Sequence, residues 1–199
     1  MANNQPIALV TGSTSGIGKA TAHELVKQGV FVILNSHTEH SSAVSEFPPD
    51  SIDYIQADIS LKSDIESKYS RLDFLVANAG IMPLPCGIDT ITEENIEKTI
   101  KTNLVGTFWT LKYLGKLIQS TSKQGSIVTL TSVDGIIGEP YGVMYSATKA
   151  GIISLTKSFA RQYKNPLVRV NGIAPGLIDT PLSDSTGEDP SWTIDVSII

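Results

Sequence analysis

A doubly wound α/β domain, one parallel sheet flanked by helices on both faces, is the fold class predicted by this sequence of 199 residues. Three observations predict it. Short apolar runs alternate with segments of helical period from the first ten residues onward. The runs are continuous and rich in β-branched residues, as strands covered on both faces require. No internal repeat or low-complexity tract offers a competing architecture. A length close to a typical domain of roughly 150 residues points to a single domain with a sizeable core.

The elements follow in order. Ile7 to Val10 reads as the first strand. The turn Thr11-Gly12-Ser13-Thr14-Ser15-Gly16-Ile17-Gly18 then opens a helix in which Ala22, Leu25 and Val26 recur at i, i+3 and i+4, and Gly29 supplies its left-handed stop. Val30 to Leu34 is the second strand, and Phe74 to Ala77 and Ser126 to Leu130 are later ones. Thr92, followed by Glu93 and Glu94, places a capping oxygen and two negative charges at the positive end of a helix that continues through the Ile96 to Ile118 region. Another helix runs from about Met144 to Tyr163. His37 to Ser51, polar with Pro48 and Pro49, and Thr180 to Trp192, rich in Ser, Asp, Gly and Pro, read as surface loops.

Composition narrows the function. Hydrophobic residues at 41% against 18% charged exclude a disordered, highly solvated chain. Fifteen Lys and Arg against 20 Asp and Glu leave a net charge of -5 with no basic run, so nucleic acid is not an expected partner. One cysteine, Cys86, and three scattered histidines, His23, His37 and His40, supply neither an internal disulfide nor metal-ligand spacing, and no metal is expected. The first residues lack a signal pattern and no window approaches 18 apolar residues. The expectation is a cytoplasmic protein without a membrane anchor.

Glycines at 12, 16 and 18 between the first strand and its helix let a helix N-terminus and bare N–H groups approach a pyrophosphate, where a β-carbon would obstruct. The expected ligand is a dinucleotide, in a Rossmann-like arrangement. A tight connection without ligand is the competing reading. Dinucleotide folds often place an acid at the end of the second strand to hold a ribose 2′-hydroxyl. Here the strand ends Leu34-Asn35-Ser36-His37, with no carboxylate to repel a 2′-phosphate. NADP(H) is therefore the preferred cofactor, with NAD(H) as the second option; a loop role for His37 is the alternative.

Tyr145 and Lys149 lie one turn apart on a predicted helix, where an ammonium beside a phenol favours phenolate. Ser132 follows an apolar run and precedes Tyr145 by 13 residues, at the carboxyl end of a strand where ligands of open α/β sheets gather. A helix cap or turn hydroxyl is the competing reading for Ser132.

On the Thr11 to Gly18 turn, Ala77-Asn78-Ala79-Gly80, Ser132 and the Tyr145-x3-Lys149 pair, the chain resembles the short-chain dehydrogenase/reductase family over roughly residues 5 to 182. The resemblance implies hydride transfer between a nicotinamide cofactor and a carbonyl or secondary alcohol, with 3-oxoacyl-thioester reduction as one possible subclass. It implies a catalytic tetrad of Asn103, Ser132, Tyr145 and Lys149, with Asn103 positioning a relay water and Lys149 lowering the phenol pKa. Cofactor contacts implied are Gly12, Ser15, Gly16, Ile17 and Gly18 in the turn, and Ser36 and His37 at the second strand. Asp58 and Ile59 belong beside the adenine, Asn78, Ala79 and Gly80 in the floor, and Pro175, Gly176, Ile178 and Thr180 beside the nicotinamide, with Lys149 holding its ribose and Tyr145 a further cofactor contact. A homodimer or homotetramer is implied, through the helices that carry Asn103 and Tyr145.

The family commonly runs to about 250 residues, within the single-domain range of α/β folds. The expectation here is a shortened member: a catalytic domain over residues 1–182 and a tail of the same domain over 183–199, either a short edge strand on Ile194, Val196 and Ile198 or frayed. The covering helices between Leu34 and Ile52 and between Asp58 and Asn78 are expected to be small or missing. An abbreviated lid keeps two other readings open: a non-catalytic dinucleotide-binding sensor or scaffold, and a chain cut short that exposes apolar surface.

Overall fold

Ile7–Val10 forms β1, and its alternate side chains serve two different cores: Ala8 and Val10 on one face of the sheet, Leu9 on the other. The same division runs along β2, Phe31–Ser36, where Val32 and Leu34 join the first core and Ile33 the second. Both strands read as unbroken apolar runs because neither face meets water. The computed structural model describes residues 5–39, 41–61, 70–84, 87–163, 168–184 and 196–198. Cys86, His40 and most of the expected tail, 185–195 and 199, lie outside the described residues.

Between β1 and β2 runs α1, Gly16–Lys27, whose Ala22 is buried in the first core, and Gly29 ends the turn at φ +79°. The stretch from His37 to Ser51, expected as a loop with a covering helix small or missing, holds a one-turn helix α2, Ser41–Val44, and a 3-10 turn, Pro49–Ser51. Buried Ala43 and Phe47 draw that segment onto the protein. β3, Ile52–Gln56, follows, then β4, Phe74–Ala77. Residues 62–69, between them, lie outside the described residues.

Thr92 caps α3, Glu93–Thr99, its hydroxyl accepting the Asn95 N–H at 3.1 Å. The helix does not continue uniformly to Ile118. A π-helical segment, Ile100–Gly106, interrupts it before α4, Thr107–Thr121. β5 spans Gly125–Leu130, the short α5 spans Asp134–Ile137, and α6 spans Val143–Gln162. β6, Val168–Pro175, leads to α7, Pro181–Asp184, a helical turn within the second expected loop.

The strand order is β3-β2-β1-β4-β5-β6-β7, parallel through β6. β7, Val196–Ile198, adds an antiparallel edge strand with Ile198 opposite Ile173, so the end of the tail joins the sheet. Buried Leu111, Leu114, Ile118 and Phe159 from α4 and α6 fill the core that contains Leu9 and Ile33. Chain direction across the sheet reverses between β1 and β4, and the crevice at such a switch point is where open α/β sheets bind ligands.

Candidate functional site

The glycine turn after β1 is held by side chains that share one short list of backbone partners. The Asn78 amide donates to the carbonyls of Thr11 at 2.9 Å and Gly12 at 3.1 Å. The Thr11 hydroxyl accepts the N–H groups of Asn78 at 2.9 Å and Ala79 at 3.0 Å. Space is so tight that a β-carbon on Gly18 would stand 2.4 Å from the Gly12 carbonyl oxygen, and one on Gly12 would stand 2.9 Å from Ala79 Cα. Gly12 also has φ +62° and Gly16 φ +50°, the left-handed region that favours glycine. Asn35 ties the turn to the second strand: its side chain accepts the Gly12 N–H at 3.4 Å and donates to the Ile55 and Ala57 carbonyls at 3.3 and 3.0 Å.

A cleft of about 360 Å³ opens above this turn. Of the residues expected to hold a cofactor, Gly12, Ser15, Gly16, Ile17, Ser36, His37, Asp58, Ile59, Asn78, Ala79, Gly80 and Thr180 line it. Gly18 lies beneath, packed on Gly12 and Asn78. Pro175 is buried at the end of β6, where its carbonyl accepts the Val133 N–H at 3.0 Å. Gly176 and Ile178 follow in the partly buried loop that delivers Thr180 to the cleft. Walls that sequence reasoning did not assign include Thr14, Asn35, Ile81, Lys98, Thr102 and Leu182. Only proximity in the fold marks most of these, although Asn35 stands directly after the apolar run of β2.

The cleft fits a dinucleotide. Gly12, Gly16 and Ile17 bring bare backbone to its wall, and Ser15, at the N-cap of α1, makes no side-chain cap bond. No acid occupies the first turn of that helix, so no carboxylate of its own competes for the N–H groups left unpaired at its start.

Beside the cleft lies a second group of side chains. Ser132, buried at the carboxyl end of β5, accepts the Asp134 N–H at 3.1 Å. Lys149, only 4% exposed, donates from Nζ to the Leu130 carbonyl at 3.0 Å and sits 5.3 Å from the Tyr145 ring centroid. Gly80 connects the two regions, since a β-carbon there would lie 3.4 Å from Asn103 Oδ1 and 3.6 Å from Lys149 Nζ.

Asn103 sits fully buried in the π-helical segment. Its Oδ1 accepts the Ile81 N–H at 2.8 Å, and its Nδ2 donates to the Ile81 carbonyl at 2.9 Å and the Thr148 hydroxyl at 3.3 Å. Both amide hydrogens are thus committed. In this structure the side chain clamps the floor segment to α6, where the resemblance implied a partner for a relay water.

The electrostatics also differ from the simple expectation of a phenol brought down by its neighbour. Burial pushes the Tyr145 phenol up from its ordinary value, Asp134 pushes it further, and the Ser132 hydroxyl pulls the other way. Burial brings the Lys149 amine down to about 8, and Asp134 opposes that shift. Both burial and Asp134 favour the protonated phenol over the phenolate. Asp134 was not singled out from sequence; a carboxylate two residues beyond Ser132 is the signal that was available.

Among the described residues no cluster of His, Cys, Asp or Glu offers a metal site, and no helix is long and apolar enough to cross a membrane.

Comparison with known proteins bears on both regions. The family described as short chain dehydrogenase matches residues 6–191. A 3-oxoacyl-[acyl-carrier-protein] reductase from a Synechocystis species is 36% identical over 200 residues, covering 92% of this chain and 78% of that protein. Among solved structures, ElxO with NADP bound is similar at a TM-score of 0.83 and 30% identity, covering 92% of this chain and 77% of that one. The 3-ketoacyl-(acyl-carrier-protein) reductase of Brucella melitensis complexed with NADH is similar at a TM-score of 0.83 and 26% identity, covering 90% of this chain and 78% of that one.

Proposed function

The chain belongs to the short-chain dehydrogenase family, and on that premise we propose that it is a carbonyl reductase and alcohol dehydrogenase that prefers NADP(H). The observation that carries the reading is the placement of Lys149 and Asn103 against Gly80 of the cleft floor, with the Tyr145 ring beside the Lys149 amine and Ser132 two residues beyond the Leu130 carbonyl that the amine holds. The family's members are typically NAD(P)-dependent oxidoreductases acting on CH–OH groups.

Gly12, Gly16 and the open N-terminus of α1 would hold the pyrophosphate, Asp58 and Ile59 the adenine end, and Asn78 to Gly80 with Thr180 the other end. When bound, the nicotinamide supplies the hydride that no side chain can provide. The chain's own residues handle the proton and the charge. Ser132 donates to the carbonyl oxygen as negative charge grows there, and Tyr145 gives that oxygen a proton during reduction. In oxidation the Tyr145 phenolate takes the alcohol proton. Lys149 favours that anion as an ammonium.

Preference for NADP(H) is supported by the end of β2, where Ser36 and His37 stand and no carboxylate does. Among the described residues, Asp58 is the one carboxylate and Lys98 the one lysine in the cleft walls. Tenfold tighter binding of NADH than of NADPH would refute it. The substrate end is supported only in outline. In the chain between Ser132 and Tyr145, Ile136, Ile137, Tyr141 and Val143 are exposed, apolar surface that would suit an acyl or other bulky apolar carbonyl compound, and the acyl-carrier relative makes 3-oxoacyl thioesters the first to try. We also read the chain as a homodimer or homotetramer.

The test is consumption of NADPH with a panel of 3-oxoacyl thioesters, aliphatic ketones and cyclic ketones. Turnover that depends on the carbonyl compound is expected. Tight cofactor binding with no consumption across the panel would overturn the reductase reading in favour of a dinucleotide sensor.

A further inference from the structure

The tetrad leaves one ionisable group of the site unused. Asp134 opens α5 with its N–H on the Ser132 hydroxyl oxygen at 3.1 Å, half-buried rather than turned fully to solvent. The next residue fixes it there. A β-carbon on Gly135 would lie 2.7 Å from the Lys149 carbonyl carbon and 3.0 Å from Lys149 Cβ, so the start of α5 rests directly on α6 at the catalytic lysine.

Lys149 needs such a neighbour. Among the described residues its buried ammonium has one hydrogen bond, to a neutral carbonyl, and the carboxylate that acts on it is Asp134, on the helix that rests against it. A negative charge at that place raises the affinity for protons of both an amine and a phenol, and so acts in the same direction on both members of the pair. The other groups facing the cluster do not duplicate it. Glu139 acts on Asp134 itself, β5 contributes the Leu130 carbonyl and the Ser132 hydroxyl, residues 78–81 carry no titratable side chain, and Lys98 and Lys101 are exposed.

We propose that Asp134 is a positioning residue that keeps the site in its proton-loaded form, Lys149 as ammonium and Tyr145 as phenol, and thereby sets the upper pH limit of carbonyl reduction. The proposal rests on the reductase reading for its catalytic consequence, but its electrostatic content is independent of turnover. Burial and Glu139 raise the Asp134 carboxyl, while Ser132 and Lys149 lower it, as expected of a carboxylate coupled to both. Reduction uses up the phenol proton, so whatever holds that proton on the site extends reduction to higher pH. Loss of the carboxylate must move the limit down.

The experiment follows the Lys149 side chain directly, by NMR titration of ¹³Cε-labelled lysine in the full chain, with Lys149→Met assigning the signal. Asp134→Asn is expected to lower the Lys149 midpoint by about half a unit or more, and Asp134→Glu to restore it. The pH above which ketone reduction declines is expected to fall by the same interval, with the plateau at lower pH kept within about twofold; a full unit would be about tenfold in the proton-loaded population. A residue that only supported the fold would lower the plateau without moving the limit. A Lys149 midpoint unmoved in Asp134→Asn overturns the proposal. A midpoint that moves in a protein that reduces no carbonyl compound supports the charge coupling and sinks the reductase reading instead.

Discussion

Lys149 shows most clearly what the site costs its own fold. An amine whose folded pKa is about 8, against an ordinary value of 10.5, opposes folding at every pH below about 8. The opposition fades between 8 and 10.5, where the unfolded chain still binds the proton that the folded one has lost, so stability rises with pH across that window. The shift corresponds to about 3 kcal/mol as an order of magnitude. Lys149→Met is therefore expected to raise the melting temperature of the cofactor-free protein at pH 7 and flatten the rise toward pH 10 while abolishing turnover. Calorimetry at pH 7 and 9.5 checks it, and a lower melting temperature at pH 7 would show that the amine is a structural asset. The Tyr145-Lys149 spacing and the position of Ser132 were legible because helical period and strand end are sequence properties. The charge balance was not, because the burial of Lys149 and the approach of Asp134 depend on α5 resting on α6.

At the scale of elements, the helix from Glu93 to Thr121 is the part the sequence described least well. Its cap at Thr92 was plain, but nothing in the local pattern marks the π-helical stretch Ile100–Gly106, which is where Asn103 turns inward to grip Ile81. Asn103→Ala leaves the Ile81 N–H and carbonyl without their partner, at a cost of about 1–3 kcal/mol, and frees the floor beneath the cofactor. The expected result is a drop in kcat of about tenfold or more with a weaker loss of cofactor affinity; unchanged stability and rate would remove the clamp from the account. Further along, Gly115 lets α4 meet α6, since a β-carbon there would be 2.5 Å from the Tyr163 hydroxyl that donates to the Leu111 carbonyl at 2.6 Å. Gly115→Ala is expected to destabilise by about 1–3 kcal/mol in chemical denaturation without changing cofactor affinity, because the contact lies away from the cleft. β3 and β6 escaped the reading for a different reason. Polar residues such as Asp53 and Gln56, and Arg169 and Asn171, break the apolar runs, and pairing with β2 and β5 fixes those segments as strands.

For the whole molecule, the cleft is built from segments far apart in the chain: the glycine turn, the end of β2, residues 57–59, 78–81, Lys98 and Thr102, and 180–182. A ligand that touches all of them binds the folded chain alone and must stabilise it. NADPH at about 100 times its Kd is expected to contribute about 2.7 kcal/mol, or a rise in Tm of roughly 5–10 °C for a chain of this size. No rise with NADPH or NADH would contradict the assignment of the cleft. The sheet order was legible as a class from alternating runs and one glycine turn, whereas the meeting of cleft and catalytic side chains across Gly80 is a property of the folded topology alone. That meeting is the central claim, and Tyr145→Phe divides its two halves most directly when cofactor Kd and carbonyl-dependent NADPH consumption are measured on the same protein. The account predicts a Kd within about threefold of wild type and turnover reduced by about 10²–10⁴; wild-type turnover in that variant would contradict it.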